Sequence, residues 1–158
     1  MRKTFDQQLT QLGAELTHMG ELCQRAIASA ALALKNSDVA LAEQAIAADA
    51  EIDQAEKDIE QLCLKLLLQQ QPVARDLRQI SSALKMITDM ERIGDQAADI
   101  SEMVKHTAGR HFPMELTHIG AMAIATSAMV CHSVEAYVQR DLALAQAVIC
   151  LLYTSRCV

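Results

Sequence analysis

The sequence predicts an all-α protein, an up-down three-helix bundle followed by part of a second one, and three observations carry that reading. Apolar residues recur three and four positions apart over long stretches, the seam spacing of helices packed at shallow angles. Aromatic side chains, on which sheets lean, are scarce in the 158 residues, with two Phe, two Tyr and no Trp. Ala, Leu, Gln, Glu and Met carry the composition, and five Gly and two Pro leave few turns. An all-β or doubly wound fold is excluded.

In the first helix the stripe is Phe5, Leu9, Leu12, Leu16, Met19, Cys23, Ala26 and Ala30. In the second it is Leu41, Ala45, Ala48, Ile52, Ala55, Ile59, Leu62 and Leu66. The third runs Leu77, Ile80, Leu84 and Ile87, and Glu91 takes the next place in the series. Thr4 and Gln7 have capping-box spacing, Asn36-Ser37 supplies a stop and a new N-cap, and Pro72 suits the first turn of a helix. The third helix is expected to end near Gly109, with Pro113 marking the start of the next.

From there the chain repeats itself. Glu15-Leu16-Thr17-His18-Met19-Gly20 returns as Glu115-Leu116-Thr117-His118-Ile119-Gly120, an offset of 100, and Asp38-Val39-Ala40-Leu41-Ala42 returns as Asp141-Leu142-Ala143-Leu144-Ala145, an offset of 103. Chance similarity between Ala- and Leu-rich helices is the bland alternative. The shared Leu-Thr-His and the shared helix-start Asp favour duplication of a three-helix unit, larger than the short solenoid repeats. The expected organisation is a first unit over 1–110, part of a second over 111–149, and a tail over 150–158 that matches neither. That tail, Cys150 to Val158, continues neither the charge pattern nor the Ala/Gln composition, and is read as foreign or out-of-frame sequence on a truncated second unit. The apolar positions from Leu116 to Ile149 are then expected to leave a surface open to association.

A net charge of −6 argues against a general nucleic-acid binder, which needs a basic stripe to displace counterions. Five cysteines, odd in number and without CxxC spacing, match a reducing compartment rather than a disulfide scaffold or a thiolate zinc site. The start, Met1-Arg2-Lys3-Thr4-Phe5-Asp6, runs into Gln and Asp with no apolar export segment. Leu116 to Val134 is uncharged and nears membrane-spanning length, but it carries Thr117, His118, Gly120, Thr126, Ser127, His132 and Ser133. A cytoplasmic location is expected.

The acids are concentrated. Between residues 38 and 60, Asp38, Glu43, Asp49, Glu51, Asp53, Glu56, Asp58 and Glu60 face a single Lys57. Asp49, Asp53, Glu56 and Glu60 form their own three-four stripe, a like-charge spacing that costs an isolated helix a few tenths of a kcal/mol per pair. A solvated face is the ordinary explanation. In the third helix Glu91, Asp95, Asp99 and Glu102 form a ridge beside the core seam, where a carboxylate must be paired, protonated or bound to a cation. Arg92 and Arg78 are candidate ion-pair partners. The second and third helices join around Gln69 to Pro72, so an antiparallel hairpin brings Asp53 level with Glu91 and Asp49 level with Asp95, within about 3 Å at ~1.5 Å rise per residue. Four facing carboxylates would suit a hard or borderline cation such as Mg²⁺, Mn²⁺ or Fe.

Glu15 with His18 and Glu115 with His118 are each a Glu-x-x-His, the element that di-iron carboxylate bundles use twice. A di-metal helical-bundle oxidoreductase is therefore the alternative function. Against it, the pairs recur inside a longer duplicated string, and the two copies belong to different units. No phosphate loop, nucleophile elbow or Ser-His-Asp order is present.

Gln71-Pro72-Val73-Ala74-Arg75-Asp76-Leu77-Arg78, followed by Met90-Glu91-Arg92-Ile93-Gly94-Asp95, resembles the start and middle of the third helix in PhoU proteins, the regulators of bacterial phosphate uptake. Met19-Gly20, Asp49, Asp53 and the duplicated layout also match. The resemblance implies a PhoU-like pair of three-helix bundles related by a pseudo-twofold, assembled as a homodimer at full length. It also implies paired acidic-x-x-x-Asp motifs that hold metal ions or clusters, with iron, zinc, manganese and magnesium all occurring across the family. The matching metal positions here are Asp49, Asp53, Glu91 and Asp95, with Asp99 as an additional candidate. The implied role is not catalytic: an adaptor between the Pst phosphate ABC transporter ATPase and a phosphate-sensing histidine kinase, repressing the phosphate-starvation response and meeting the membrane only through its partners. A full-length member carries a second acidic helix and a second Glu-Arg-Ile-Gly-Asp helix, and this sequence ends before both.

Overall fold

A computed structural model describes residues 2–70, 72–107 and 117–155, which form five helices. These are α1 (Arg2–Asn36), α2 (Val39–Gln70), α3 (Ala74–Thr107), α4 (Thr117–Gln139) and α5 (Leu142–Ser155). Among the described residues there is no strand. The first three helices pack on one another as an up-down bundle, α4 lies against α1, and α5 packs on α4.

The first two helices follow their apolar period, with Leu22, Ala33, Ala42 and Cys63 buried beside the predicted stripes. Every member of both predicted stripes is buried or half-buried, and Leu12, Leu16, Met19, Cys23, Ile52 and Leu66 are sealed from solvent. The third stripe is corrected by the structure. Leu77, expected in the core, is 47% exposed, and after Ile87 the buried series passes through Met90, Gly94, Ala97, Ser101 and Val104 rather than through Glu91. A step of three instead of four at Ile87 moves Glu91 to the flank, which removes the need to place a carboxylate in the seam itself.

The ends of the helices show which capping signals act. Helix α1 already runs from Arg2, so Thr4 lies within its first turn rather than ahead of it. Pro72 precedes α3 instead of opening it, since the Leu77 amide donates to the Val73 carbonyl at 2.9 Å and makes Val73 the residue at the cap. Asn36-Ser37 does stop α1. Ser37 takes the left-handed conformation (φ 53°), its amide donates to the Leu34 carbonyl at 3.4 Å, and the Asp38 amide donates to the Ala33 carbonyl at 3.0 Å, which is a Schellman ending. The N-cap of α2 is Asp38, not Ser37: its Oδ1 accepts from the Leu41 amide at 3.1 Å. Gly109, Pro113 and Glu115 lie outside the described residues.

The same corner is built twice. Arg140 repeats Ser37 with φ 57°, its amide donates to the Tyr137 carbonyl at 3.2 Å, the Asp141 amide donates to the Ala136 carbonyl at 2.9 Å, and Asp141 Oδ1 caps the Leu144 amide at 3.0 Å. Every residue of this motif stands 103 positions after its counterpart, so the duplicated Asp marks a duplicated helix-to-helix turn. Helix α5 continues through Ile149 and Cys150 without a break. Residues 156–158 lie outside the described residues.

Helix α4 runs antiparallel to α1, with Val134 against Gly20 and Val138 against Gly13, while the Gln24 side-chain amide donates to the Ser127 carbonyl at 3.1 Å. Its far end is tied to α3 by the Tyr137 hydroxyl, which donates to the Gln79 carbonyl at 2.8 Å, and by Arg140, which donates to Gln79 Oε1 at 2.7 Å. By length and composition residues 118–139 could cross a membrane, with mean hydropathy 1.3; in this fold they form the helix that covers α1. Helices α4 and α5 nevertheless keep large apolar side chains in the open, with Ile124 75% and Leu142 73% exposed.

Candidate metal centre

The α2 and α3 hairpin has the expected antiparallel register. Thr88 Oγ1 donates to Glu56 Oε1 at 3.4 Å, and Gly94 lies directly against Asp49 and Ile52. Buried Ile52 and Ile59 anchor α2, and Ile87, Met90 and Gly94 anchor α3. Asp53, Glu91 and Asp95 each stand one position past an anchor, Asp49 lies one turn before Ile52 and Asp99 one turn after Asp95, so the acids follow one edge of the helix pair. Asp49, Asp53 and Glu91 are half-buried there, and Asp95 and Asp99 are exposed.

No Lys, Arg or His among the described residues pairs with this edge. Among the described residues the ion pairs are Arg25 with Glu51 at 3.5 Å, Arg92 with Asp89 at 3.7 Å and His18 with Glu21 at 4.0 Å, and none reaches Asp49, Asp53, Glu91, Asp95 or Asp99. Arg92, a candidate partner for Glu91, turns to Asp89 instead. Asp49 Oδ1 is buried and has no hydrogen-bond partner. Its carboxyl is held above the usual range first by burial and then by the charges of Asp53, Asp95 and Asp99. Glu91 is raised in the same way, by burial and then by Asp95, Glu56, Asp53 and Asp49. The acids thus share one repulsive field, with Glu56 as a member that the four-residue site omitted.

The donor chemistry fits a divalent cation bound through oxygen. Burial pushes the Cys23 thiol up to about 12 and the Cys63 thiol up to about 11, so neither is a thiolate near neutral pH. The side chains are not drawn together into a finished coordination shell, since among the described residues no three His, Cys, Asp or Glu groups stand close enough to hold an ion. Asp49, Asp53 and Glu91 are half-buried and Asp95 is exposed, so the four share an edge without sharing a closed shell. His18 is not brought to this edge. Its side chain is 61% exposed, with Glu21 of its own helix as partner.

The electrostatics give a testable pH dependence. A carboxyl raised above its unfolded value contributes stability that is full below that value, 3.8 for Asp49, and is lost as pH rises through the raised one. Without added metal, Asp49→Asn is therefore expected to raise the melting temperature at pH 7.5. The gain should shrink as the pH is lowered toward 4. A gain independent of pH would show that charge is not its source.

Fold and edge together define a class: an all-α helical bundle whose second and third helices carry a row of oxygen donors that no cation among the described residues pairs with. The PhoU domain model matches residues 16–104, more than half of the chain, and the chain belongs to the PhoU domain family. It is 37% identical over 142 residues to a phosphate-specific transport system accessory protein PhoU homolog of Clostridium acetobutylicum, covering 89% of this chain and 65% of that protein. A homolog of the same description from Aquifex aeolicus is 36% identical, with 90% and 64% covered. The fold is similar to the crystal structure of PhoU from Pseudomonas aeruginosa, with TM-score 0.85 and 30% identity over 90% of this chain and 69% of that one. It is also similar to the phosphate transport system regulatory protein PhoU from Streptococcus pneumoniae, with TM-score 0.81, 28% identity and 91% and 68% covered. The chain thus spans less than two thirds of the length of the Clostridium and Aquifex relatives.

Proposed function

We propose that this chain is a regulator of phosphate transport, a cation-binding adaptor that holds down phosphate uptake and the phosphate-starvation response when phosphate is plentiful. Its partners in this reading are the ATPase of a Pst phosphate ABC transporter and a phosphate-sensing histidine kinase. It works in the cytoplasm, without turnover, and as a homodimer at full length. The observation that carries the cation part is the buried, partnerless Asp49 oxygen at the head of a row of acids that no Lys or Arg among the described residues pairs with. The regulatory part is supported by family membership and by the relatives' description as accessory proteins of the phosphate-specific transport system.

Asp49, Asp53, Glu91 and Asp95 would hold the ion, with Asp99 and Glu56 at its margins. Fe, Mn, Mg and Zn are all admissible for an oxygen-rich site. The bound charge would offset the repulsion among the carboxylates and so stiffen the α2 and α3 hairpin. Co-expression with a Pst ATPase or with a phosphate-sensing histidine kinase tests the adaptor role: the chain is expected to co-purify with each, and capture of neither would overturn it.

A further inference from the structure

We infer that Gly94 is a positioning residue for the cation site, its missing side chain leaving the space in which the Asp49 carboxylate is seated. The inference rests on the cation reading above. Gly94 lies in the middle of α3, where glycine costs about 1 kcal/mol relative to alanine, and its backbone is not in the left-handed region that would call for glycine. Space is the remaining reason. A Cβ at this position would stand 2.8 Å from Asp49 Oδ1, 2.9 Å from Ile52 Cδ1 and 3.2 Å from Ile52 Cγ2.

The other described glycines differ in what they face. Gly13 and Gly20 meet valine side chains of α4, with closest approaches of 3.4 and 3.3 Å, and Gly120 faces open space. Only Gly94 among them meets a carboxylate. Ile52 is sealed in the core and has little room to yield, whereas Asp49 is half-buried at the edge of its helix and can swing toward solvent. An added methyl group at residue 94 therefore displaces Asp49, which supplies the one seated oxygen of the row.

The test compares the parent, Gly94→Ala and Gly94→Ala/Ile52→Ala, with Ile52→Ala alone as the control for core loss. Two readouts are used, carbodiimide labelling of Asp49 in the metal-free chain and calorimetric binding of Mn²⁺. Gly94→Ala is expected to increase labelling of Asp49 several-fold, with no change at Glu43 or Asp58, and to weaken Mn²⁺ binding about 10–100-fold, the range typical of losing a group that orients a ligand. In the double variant, judged against Ile52→Ala so that the loss of core packing is common to both, Asp49 should remain labelled and Mn²⁺ binding weak. Unchanged labelling, or an affinity that returns in the double variant to that of Ile52→Ala, would overturn the role of Gly94. A parent that binds no Mn²⁺ would instead overturn the cation reading, and labelling would still decide whether Gly94 seats Asp49.

Discussion

Leu16→Ala is expected to destabilise the chain by about 2–5 kcal/mol, the range for truncating a sealed Leu whose site relaxes only in part. Leu16 is wholly buried, in one cluster with Met19, Ile52, Ile59 and Ile87 from the first three helices and Val134 from α4. Its loss therefore loosens the whole bundle rather than one helix pair. At about 2–4 °C per kcal/mol for a domain of this size, the melting temperature should fall by roughly 4–20 °C. Leu77→Ala is the informative control. The apolar series places Leu77 in the core, whereas the structure leaves it 47% exposed, so thermal melts should show a loss of about 1 kcal/mol or less. Equal losses in the two variants would contradict the packing of α3.

Mn²⁺ is expected to raise the melting temperature of the parent. A ligand present at a hundred times its dissociation constant stabilises the state that binds it by about 2.7 kcal/mol, or roughly 5–11 °C here. Glu91→Ala with Asp95→Ala removes the α3 half of the row and should abolish the shift. Both residues lie outside the buried series of α3, and removing charge from a row of mutually repelling acids relieves the folded state. The metal-free double variant should therefore melt no lower than the parent, which separates loss of binding from loss of fold. A parent without a metal-dependent shift would remove the cation reading.

The helices and the pairing of α2 with α3 were legible because both follow from period and chain geometry. A three-four stripe fixes which face is buried, and a hairpin fixes which residues are level. The Glu-x-x-His pairs and the acid rows were equally visible as residue types. Less legible was the phase of α3, because its buried series passes through Gly94, Ala97 and Ser101. Small residues carry little hydrophobic signal, so the eye follows Leu77 and Leu84 instead. The corner at Ser37 was readable as a stop, but a non-glycine residue at positive φ carries no sequence mark, and the cap moved by one residue to Asp38.

The candidate site divides along the same line. Asp49, Asp53, Glu91, Asp95 and Asp99 were identifiable from spacing and resemblance. The seating of Asp49, the exposure of Asp95 and the contribution of Glu56 depend on the distance between two helices, which spacing along one helix does not report. Gly94 left a faint signal, a glycine within a long helical pattern where alanine is favoured by about 1 kcal/mol. Its meaning came only from the atoms across the interface.

The most direct test of the central claim is a Mn²⁺ titration at pH 7.5 followed by the electron paramagnetic resonance of the free ion. The parent chain is expected to remove Mn²⁺ from solution in a fixed ratio to protein until the acids of α2 and α3 are filled, and the Glu91→Ala/Asp95→Ala variant to remove none. A parent that leaves the free-ion signal untouched, or a variant that takes up as much Mn²⁺ as the parent, would contradict it.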